Sequence, residues 1–282
     1  MPAIKLKRNE SFYIREGWFE KAINTIVENK GNNIFYKNEG IEYLGIGSNM
    51  VKGLKYWLKA ANIIIFPNCD LTDFGGLLFK HDQYLDDDFS WFFIHYFLVT
   101  NKDENPVANE VFNSRIKAFN KNDMTEYLMS QFSSVYENVN KKYVEADLNV
   151  FVKSYVNEDV INNPEDNYIC PLSRLKLLSR NKDEYKKQRP VFSSLSYLIV
   201  YYSLLDLYAG KPFEIEESIN VYNSPVKIYN LDKYMYLQYL DEMRKNGLIT
   251  INRAAGLNTV YFEKTLSLEE IFMEQYGGED NV

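Results

Sequence analysis

The segment that decides the fold is YLGIGSNMVKGLKYWLKAANII, which spans residues 43–64. Its glycines Gly45 and Gly47 predict a tight turn, and Ser48 is a residue type that commonly caps the start of a helix. Beyond the turn, residues 49–62 carry apolar side chains at helical spacing, which predicts a helix with one buried face. Those apolar residues are Met50, Leu54, Trp57, Leu58 and Ala61.

The other face of this predicted helix carries the side chains that a DNA interface requires. Lysines neutralise phosphate charge, and small polar side chains reach the edges of bases. The sequence therefore predicts DNA contact by Ser48, Asn49, Lys52, Lys55, Tyr56 and Lys59. Helices in this arrangement also occur in protein-interaction modules, so a protein partner is the alternative interpretation.

The elements around this helix complete the order of a winged helix-turn-helix. An amphipathic helix is predicted over about residues 10–29 and a short second helix over residues 38–44. After the long helix, the apolar residues 63–66 predict a strand, and a turn leads to a second strand in GGLLF at residues 75–79. We therefore predict an N-terminal winged-helix DNA-binding domain over residues 1–80.

A similar pattern lies near the C-terminus. LDKYMYLQYLDEMRKNGLI at residues 231–249 predicts an amphipathic helix that ends at an Asn-Gly pair. Residues 250–264 predict strand, turn and strand, with Arg253 near the tip as a further DNA-contacting candidate, and a closing helix begins near Ser267. This pattern predicts a C-terminal winged-helix-like domain over residues 191–282. Its helix carries both acidic and basic residues, so packing or dimerisation explains it at least as well as DNA contact.

The intervening residues 81–190 predict a helical middle domain rich in aromatic side chains. WFFIHYFLV at residues 91–99 indicates a buried helix, and helices are also predicted over residues 107–120 and 123–139. The strongly basic residues 174–190 predict the end of a surface helix and a loop, whose charges are either solvated or in contact with phosphate. The predicted fold is therefore mainly α, of the α+β class, with two winged-helix modules flanking a helical middle domain.

Charge is distributed unevenly along the 282 residues. The whole chain has a formal net charge of −7, which taken alone argues against a nucleic-acid partner. Residues 1–65, however, hold ten Lys/Arg against six Asp/Glu, and residues 171–191 hold seven against two. Residues 66–112 hold two against nine. DNA affinity depends on the face that meets phosphate, so a basic module within an acidic protein is compatible with DNA binding.

The sequence also bears on where the protein works. It begins without the apolar segment of a signal peptide, and no run approaches the roughly 18 apolar residues of a membrane helix. Cys69 and Cys170 are too few for a disulfide framework or a zinc site by themselves, so both are expected to be buried thiols. These features predict a cytoplasmic protein.

One acidic segment is the candidate for chemistry, since the sequence has no P-loop, no Gly-rich dinucleotide motif, no HExxH and no nucleophile elbow. KHDQYLDDDFSW, at residues 80–91, gathers oxygen ligands that suit Mg²⁺ or Mn²⁺, and such an ion can activate water against a phosphodiester. The candidate catalytic residues are His81, Asp82, Asp86, Asp87 and Asp88, of which Asp86 and Asp88 are the candidate metal ligands. The alternative is that the three consecutive aspartates cap a helix. His95, within the apolar run, is expected to be a hydrogen-bonded core histidine.

Five segments together carry a family resemblance, and LGIGSNMV is the most specific part of it. They are ESFYIREGWFEKAI (residues 10–23), YLGIGSNMVKGLKYWLKAANII (43–64), DQYLDDDFSWFFIHYFL (82–98), CPLSRLKLL (170–178) and AAGLNTVYF (254–262). Across nearly the whole chain the sequence resembles a bacterial family long catalogued as a domain of unknown function, the SspB-like family of DNA phosphorothioation and defence systems. Gln83 departs from the family, in which proline is common at that position.

The resemblance implies a function and a set of partners. It implies a protein that binds DNA, nicks one strand and works with a cysteine desulfurase, an ATPase and a protein similar to phosphoadenosine-phosphosulfate reductase to place sulfur in the DNA backbone. It also implies DNA contact by the helix from Ser48 to Lys59, and Arg15 matches the family's arginine near a Gly-Trp pair. Arg15 could instead anchor the first helix through a salt bridge.

Two other functions are compatible with the same sequence. The first is a DNA-docking adaptor or transcriptional regulator that binds DNA without cutting it, and the second is a scaffold whose winged helices meet partner proteins. A homodimer would suit paired DNA half-sites, although two winged helices in one chain remove the need for one.

Overall fold

The computed structural model describes residues 2–36, 39–156, 169–254 and 257–277. Helices predominate and small antiparallel sheets accompany them, so the predicted α+β class is confirmed. Within these residues, no helix is both long enough and apolar enough to span a membrane.

The chain divides into two compact units. The first unit consists of residues 1–111 and 115–188, and the second of residues 112–114 and 189–282. The predicted boundary after residue 80 lies inside the first unit, and the predicted boundary after residue 190 lies beside the start of the second unit's long segment.

The elements up to residue 188 are mostly helices, with one three-stranded sheet in the order β1-β3-β2. They are α1 (Trp18–Glu28), α2 (Glu39–Leu44), α3 (Ser48–Ala60), α4 (Asp73–His81), α5 (Asp88–Thr100), α6 (Pro106–Asn113), β1 (Ala118–Phe119), α7 (Lys121–Ser133), α8 (Lys141–Tyr155), a 3-10 helix (Pro171–Leu175), β2 (Leu178–Asn181) and β3 (Glu184–Lys187).

Helix α5 forms the core of the first unit. Its sequence, DFSWFFIHYFLVT, is apolar on all sides, which is typical of a helix enclosed by other elements, and ten of its 13 residues are buried. Trp91 stacks on Phe19 of α1 with 5.9 Å between ring centroids. His95 is fully buried, and its Nδ1 atom lies 2.7 Å from the Tyr155 hydroxyl of α8. The predicted core histidine is therefore confirmed.

The predicted helical trio forms, with changes at its ends. Helix α1 starts later than predicted because Gly17, which precedes it, has a φ of 75°, a left-handed conformation that glycine adopts freely. Helix α3 starts at Ser48, so its cap residue is Gly47 and the predicted Ser48 cap is wrong by one residue. Glycine has no side chain to accept a hydrogen bond, and no side-chain hydrogen bond caps α3. The predicted start of the second helix at Asn38 lies outside the described residues.

The predicted second strand at residues 75–79 is wrong, because GGLLF lies inside helix α4. Thr72 caps this helix, since its hydroxyl oxygen accepts a hydrogen bond from the Gly75 backbone N–H at 3.0 Å. Three apolar residues at i, i+3 and i+4 then share one face and are buried. They are Phe74, Leu77 and Leu78. In this described part of the chain, the predicted hairpin is reduced to one antiparallel bridge ahead of α4.

The basic segment predicted as a helix end and a loop forms a β-hairpin instead. Strands β2 and β3 pair in antiparallel register, from Leu178 opposite Lys187 to Asn181 opposite Glu184. Tyr185 points into the protein and is buried, while its neighbour Glu184 is exposed. The alternation of a strand is thus carried mostly by charged residues, so the hydrophobic pattern did not reveal it. The predicted helix over residues 107–120 is shorter in the structure, because residues 118–119 form β1, which pairs with β3.

The second unit combines a helical part with a three-stranded antiparallel sheet in the order β4-β6-β5. Its elements are α9 (Tyr197–Tyr208), β4 (Phe213–Glu214), α10 (Ile215–Ser218), α11 (Pro225–Ile228), α12 (Lys233–Lys245), β5 (Ile249–Ala254), β6 (Leu257–Phe262) and α13 (Leu268–Tyr276).

The predicted secondary structure of this region is confirmed where the structure describes it. Helix α12 ends at Lys245 with Asn246 as its cap, and Gly247 follows with a φ of 66°. Strands β5 and β6 form the predicted hairpin, although its tip at residues 255–256 lies outside the described residues. The closing helix α13 starts with a capping box between Ser267 and Glu270.

Both cysteines are free and buried, as predicted. Burial raises the pKa of the Cys69 thiol, and it raises the pKa of the Cys170 thiol to about 12. Both thiols therefore stay protonated at neutral pH, and their role is to fill the core.

Two adjacent glycines in α4 test whether GGLLF is helical. A Cβ at Gly75 would lie 2.4 Å from the backbone oxygen of Ile63, whereas a Cβ at Gly76 would meet nothing within 4 Å. We expect Gly75→Ala to lower the free energy of unfolding by about 1–3 kcal/mol. Gly76→Ala, the matched control, should raise it by about 0.5–1 kcal/mol because alanine favours the helix. Urea denaturation followed by circular dichroism measures both, and equal effects would contradict the packing of α4.

Candidate nucleic-acid interface

Helix α3 presents one polar edge to solvent. Ser48, Asn49 and Lys52 are exposed. Lys52 forms no ion pair with any described residue, so its ammonium group is available to an anion. The buried side of the helix packs inward through Val51, Leu54, Trp57 and Leu58. Ser48, Asn49 and Lys52 are called the outer edge of α3 below.

The opposite edge of α3 is attached to Glu104, which lies between α5 and α6. The Tyr56 hydroxyl donates to the Glu104 backbone oxygen at 2.7 Å, and Lys59 Nζ lies 2.8 Å from Glu104 Oε1. Lys5 contacts the same carboxylate oxygen at 2.5 Å. Tyr56 and Lys59, both predicted DNA contacts, therefore have contacts that hold the helix in place.

The ionisation of these groups agrees with that role. Burial, followed by the nearby carboxylates, raises the pKa of Tyr56 well above its ordinary value, so its hydroxyl remains a hydrogen-bond donor. Burial also acts to raise the pKa of Glu104, but the hydrogen bonds from Lys5 and Lys59 outweigh it and lower the pKa. Glu104 is therefore an ionised acceptor at neutral pH.

A second attachment fixes α3 against the N-terminal segment. A Cβ at Gly53 would lie 2.9 Å from the backbone oxygen of Asn9, so glycine permits this close approach. The segment is held in turn by Asp147 of α8, whose carboxylate accepts hydrogen bonds from the Lys7 backbone N–H at 2.8 Å and the Asn9 side-chain amide at 2.9 Å. The direction of the outer edge is thus set by contacts on two sides of the helix.

An exposed turn that carries an aromatic side chain lies beside α3, and it was not predicted from the sequence. Phe66 is 46% exposed and Ile65 is 57% exposed. The Nζ atoms of Lys55 and Lys59 lie 4.9 and 4.8 Å from the centroid of the Phe66 ring, a cation–π arrangement. The apolar run IIIF predicted a strand, whereas the proline that follows it, Pro67, was the available signal of a turn.

Arg15 lies at a pocket of about 300 Å³ in the first unit. Its guanidinium carbon is 5.6 Å from the centroid of the Phe12 ring and 5.5 Å from that of Trp18, which holds the side chain by cation–π contact. Asp86 and Arg174 line the same pocket. The structure thus brings together Arg15, singled out by the family resemblance, and one residue of the acidic segment.

The acidic segment forms the start of α5. The Asp82 carboxylate accepts hydrogen bonds from the backbone N–H groups of Asp86 and Asp87, at 2.9 and 3.2 Å. Asp87 caps α5, because its side chain accepts from the Phe89 backbone N–H at 2.9 Å. Asp88 Oδ1 lies 2.7 Å from Nε of Arg174. Three of these four carboxylates therefore have structural partners, as the helix-cap alternative predicts.

These contacts bear on the predicted metal site. Among the described residues, no group of three or more His, Cys, Asp or Glu side chains could hold a metal ion. Of the two predicted ligands for Mg²⁺ or Mn²⁺, Asp88 is paired with the guanidinium of Arg174, and Asp86 is exposed at the pocket. His81, the last residue of α4, does not complete such a group. These residues do not fit a metal ion held by the protein alone.

Helix α12 of the second unit differs from α3 in its charges. Arg244 and Lys245 contact the Asp241 carboxylate at 2.7 and 3.0 Å, so these cations are neutralised within their own helix. Arg253 is exposed in β5, close to the part of the hairpin that lies outside the described residues. Arg253, a predicted DNA contact, is therefore exposed, while the cations at the end of α12 are paired.

The fold and this surface define a helix-rich α+β protein with an exposed polar helix edge. The chain belongs to the family DUF4007, described as proteins of unknown function, which matches residues 6–276. The predicted membership of a family of unknown function is therefore confirmed. No curated protein matches the chain.

Two solved structures share the fold. One is described as a magnesium ion-bound SspB crystal structure and matches with a TM-score of 0.85 and 20% identity, over 99% of this chain and 89% of that chain. The other, an SspB crystal structure, matches with a TM-score of 0.82 and 19% identity over the same shares of the two chains. At this level of identity the likeness shows a common fold.

The Asp147 contact predicts a specific pH dependence of stability. Burial raises the pKa of Asp147 from 3.8 to about 6, against the hydrogen bonds from Lys7 and Asn9, which lower it. Between these two pH values the folded state binds more protons than the unfolded state, so the free energy of unfolding falls as the pH rises through this window. Between pH 3.5 and pH 7, we expect the free energy of unfolding of the wild type to fall by about 2–3 kcal/mol relative to that of Asp147→Asn. If the difference in the free energy of unfolding between the two proteins stays constant across that range, the buried carboxylate contact is contradicted.

Proposed function

We propose that this protein is the DNA-binding component of a bacterial DNA phosphorothioate modification and anti-phage defence system. The observation that carries the proposal is the outer edge of α3, where Ser48, Asn49 and Lys52 are exposed. The fold shared with SspB structures supports a role in a system of that kind. Membership of the DUF4007 family is compatible with it.

In this proposal α3 is the recognition helix of an N-terminal helix-turn-helix. Its first residues approach the base edges, and Lys52 and Lys55 lie near phosphates, as in other helices that enter the major groove. The exposed turn at Ile65 and Phe66 takes the place of the wing. An apolar side chain beside the lysines would suit the groove wall or a base step.

The second unit has the order of a winged helix, in which α12 precedes the β5–β6 hairpin. We propose that it packs against or assembles with other proteins, because the cations at the end of α12 already have acidic partners. The candidate partners are a cysteine desulfurase, an ATPase, a protein similar to phosphoadenosine-phosphosulfate reductase, and a second copy of this chain. These partners come from the family resemblance.

A charge-reversal series tests DNA contact by α3. We expect Lys52→Glu to weaken binding to a fluorescent duplex by roughly tenfold, because one phosphate contact becomes a repulsion. The slope of log affinity against log salt concentration should fall by about 1. The matched control is Lys211→Glu, an exposed position in the second unit with the same change of charge.

Fluorescence anisotropy at several salt concentrations provides the measurement. Equal affinities for Lys52→Glu and Lys211→Glu would contradict DNA contact by α3. Failure of the wild-type protein to bind duplex DNA at any salt concentration would leave the protein-interaction scaffold as the function. Thermal unfolding checks that both variants are folded, which their exposed positions favour.

Strand nicking is the second candidate function, and two observations favour it. A structure of the same fold is described as magnesium ion-bound. The pocket at Arg15 and Arg174 is also lined by three carboxylates, those of Glu16, Glu20 and Asp86, and the two arginines could hold a phosphodiester there. The described residues do not fit a metal held by the protein alone, so we assign no step to a metal. If DNA binds without being cut, the protein is a docking adaptor or a transcriptional regulator.

A single substitution separates nicking from helix capping. Asp86→Asn removes one exposed carboxylate at the pocket and leaves the cap of α5 in place. Asp87→Asn is the control, since asparagine caps helices about as well as aspartate. If the pocket nicks DNA, wild type and Asp87→Asn will convert supercoiled plasmid to open circles with added Mg²⁺ or Mn²⁺, and Asp86→Asn will not. Full activity of Asp86→Asn would exclude the Asp86 carboxylate from the reaction.

A further inference from the structure

The β2–β3 hairpin of the first unit is rich in basic residues, and these residues are not part of the α3 surface proposed to bind DNA. We propose that this hairpin is a second surface for the phosphate backbone of duplex DNA. The inference rests on the proposed DNA-binding function and deepens it, since it names a second contact for the same partner.

The hairpin holds its cations at the surface. Its central strand β3 is anchored by Tyr185, which is buried and stacks on Phe119 of β1 with 5.7 Å between ring centroids. Because side chains alternate along a strand, burying Tyr185 turns the next residue, Lys186, outward. Arg180 and Lys182, at the end of β2 and in the turn, are exposed as well.

Three exposed lysines in or next to the hairpin lack an acidic partner among the described residues. Lys176, Lys182 and Lys186 form no ion pair with a carboxylate anywhere in the described chain. In α12, by contrast, Lys245 lies 3.0 Å from Asp241 and is neutralised. An exposed lysine without a carboxylate partner is available to a phosphate, and a nucleic acid that binds it gains free energy by releasing a counterion.

A shallow groove lies beside the hairpin, with a volume of about 440 Å³. Lys121 at the start of α7 and Arg180 both line it, and their charged groups lie 5.7 and 5.8 Å from the centroid of the Tyr185 ring. Arg180 Nε also donates to the Lys182 backbone oxygen at 2.7 Å, which fixes the direction of its guanidinium. Two cations are thus held at one wall of the groove, which Asp123 and Asp183 also line. Arg180 lies opposite Tyr185 in the sheet, so Lys186 is on the other face of the hairpin.

The spacing of the charges favours a polymeric anion over a compact one. Strands of four residues extend over about 13 Å, and neighbouring strands lie about 5 Å apart. A single phosphate could reach two or three of these side chains, whereas a duplex, with one charge per roughly 1.7 Å of axis, supplies a phosphate for each. The side chains are mostly lysines, which suit phosphate contact without base recognition.

The test compares a hairpin variant with a control of equal charge. Lys182→Glu/Lys186→Glu reverses two exposed charges, and Lys211→Glu/Lys264→Glu makes the same change in the second unit. Affinity for a fluorescent duplex is measured by anisotropy across a series of salt concentrations. We expect the hairpin variant to bind at least tenfold more weakly than the control, with a salt slope smaller by about 2.

The outcomes separate this inference from the proposed function. If the hairpin variant matches the control while Lys52→Glu binds weakly, the hairpin is a solvated surface and the inference fails alone. If the hairpin variant binds weakly while Lys52→Glu matches wild type, the inference stands and α3 is not the interface. If the wild-type protein binds no duplex DNA, both proposals are overturned.

Discussion

The first unit depends on the burial of one helix. Ten of the 13 residues of α5 are removed from water, so other elements must cover the helix on every side. Helix α1 does so through Phe19 and α8 through Tyr155, and the acidic residues ahead of α5 serve its N-terminus, where carboxylates are favoured by the exposed N–H groups. The acidic segment therefore has a structural explanation before any chemistry is assigned to it.

The outer edge of α3 follows from the same packing. Glu104, placed by the end of α5, binds Tyr56 and Lys59, and Gly53 lets the helix lie against the N-terminal segment. These contacts act on two sides of α3, and they leave Ser48, Asn49 and Lys52 facing solvent. The surface proposed to bind DNA is thus fixed by buried and charge-assisted contacts, which limits the cost of ordering it on binding.

The sequence predicted the elements in which apolar spacing is strong. Helices α1, α3, α5 and α12 and the β5–β6 hairpin formed as expected, because their buried faces have a clear period. Helix α4 was predicted as a strand because it contains two adjacent glycines, a residue type that disfavours helix interiors. The β2–β3 hairpin was missed because Tyr185 alone marks its buried side. Within the site, the exposed residues of α3 could be predicted from the sequence. The contact between Lys59 and Glu104 could not be predicted, because the two residues lie 45 positions apart.

Photo-crosslinking tests the central claim most directly, because it reports which helix touches DNA. A photoreactive benzoylphenylalanine is placed at Asn49 in α3, and in a second protein at Tyr234 in α12, a position that is 71% exposed. With a labelled duplex, we expect a covalent adduct from position 49 and none from position 234. An adduct from position 234 alone would contradict it, and would assign DNA binding to the second unit.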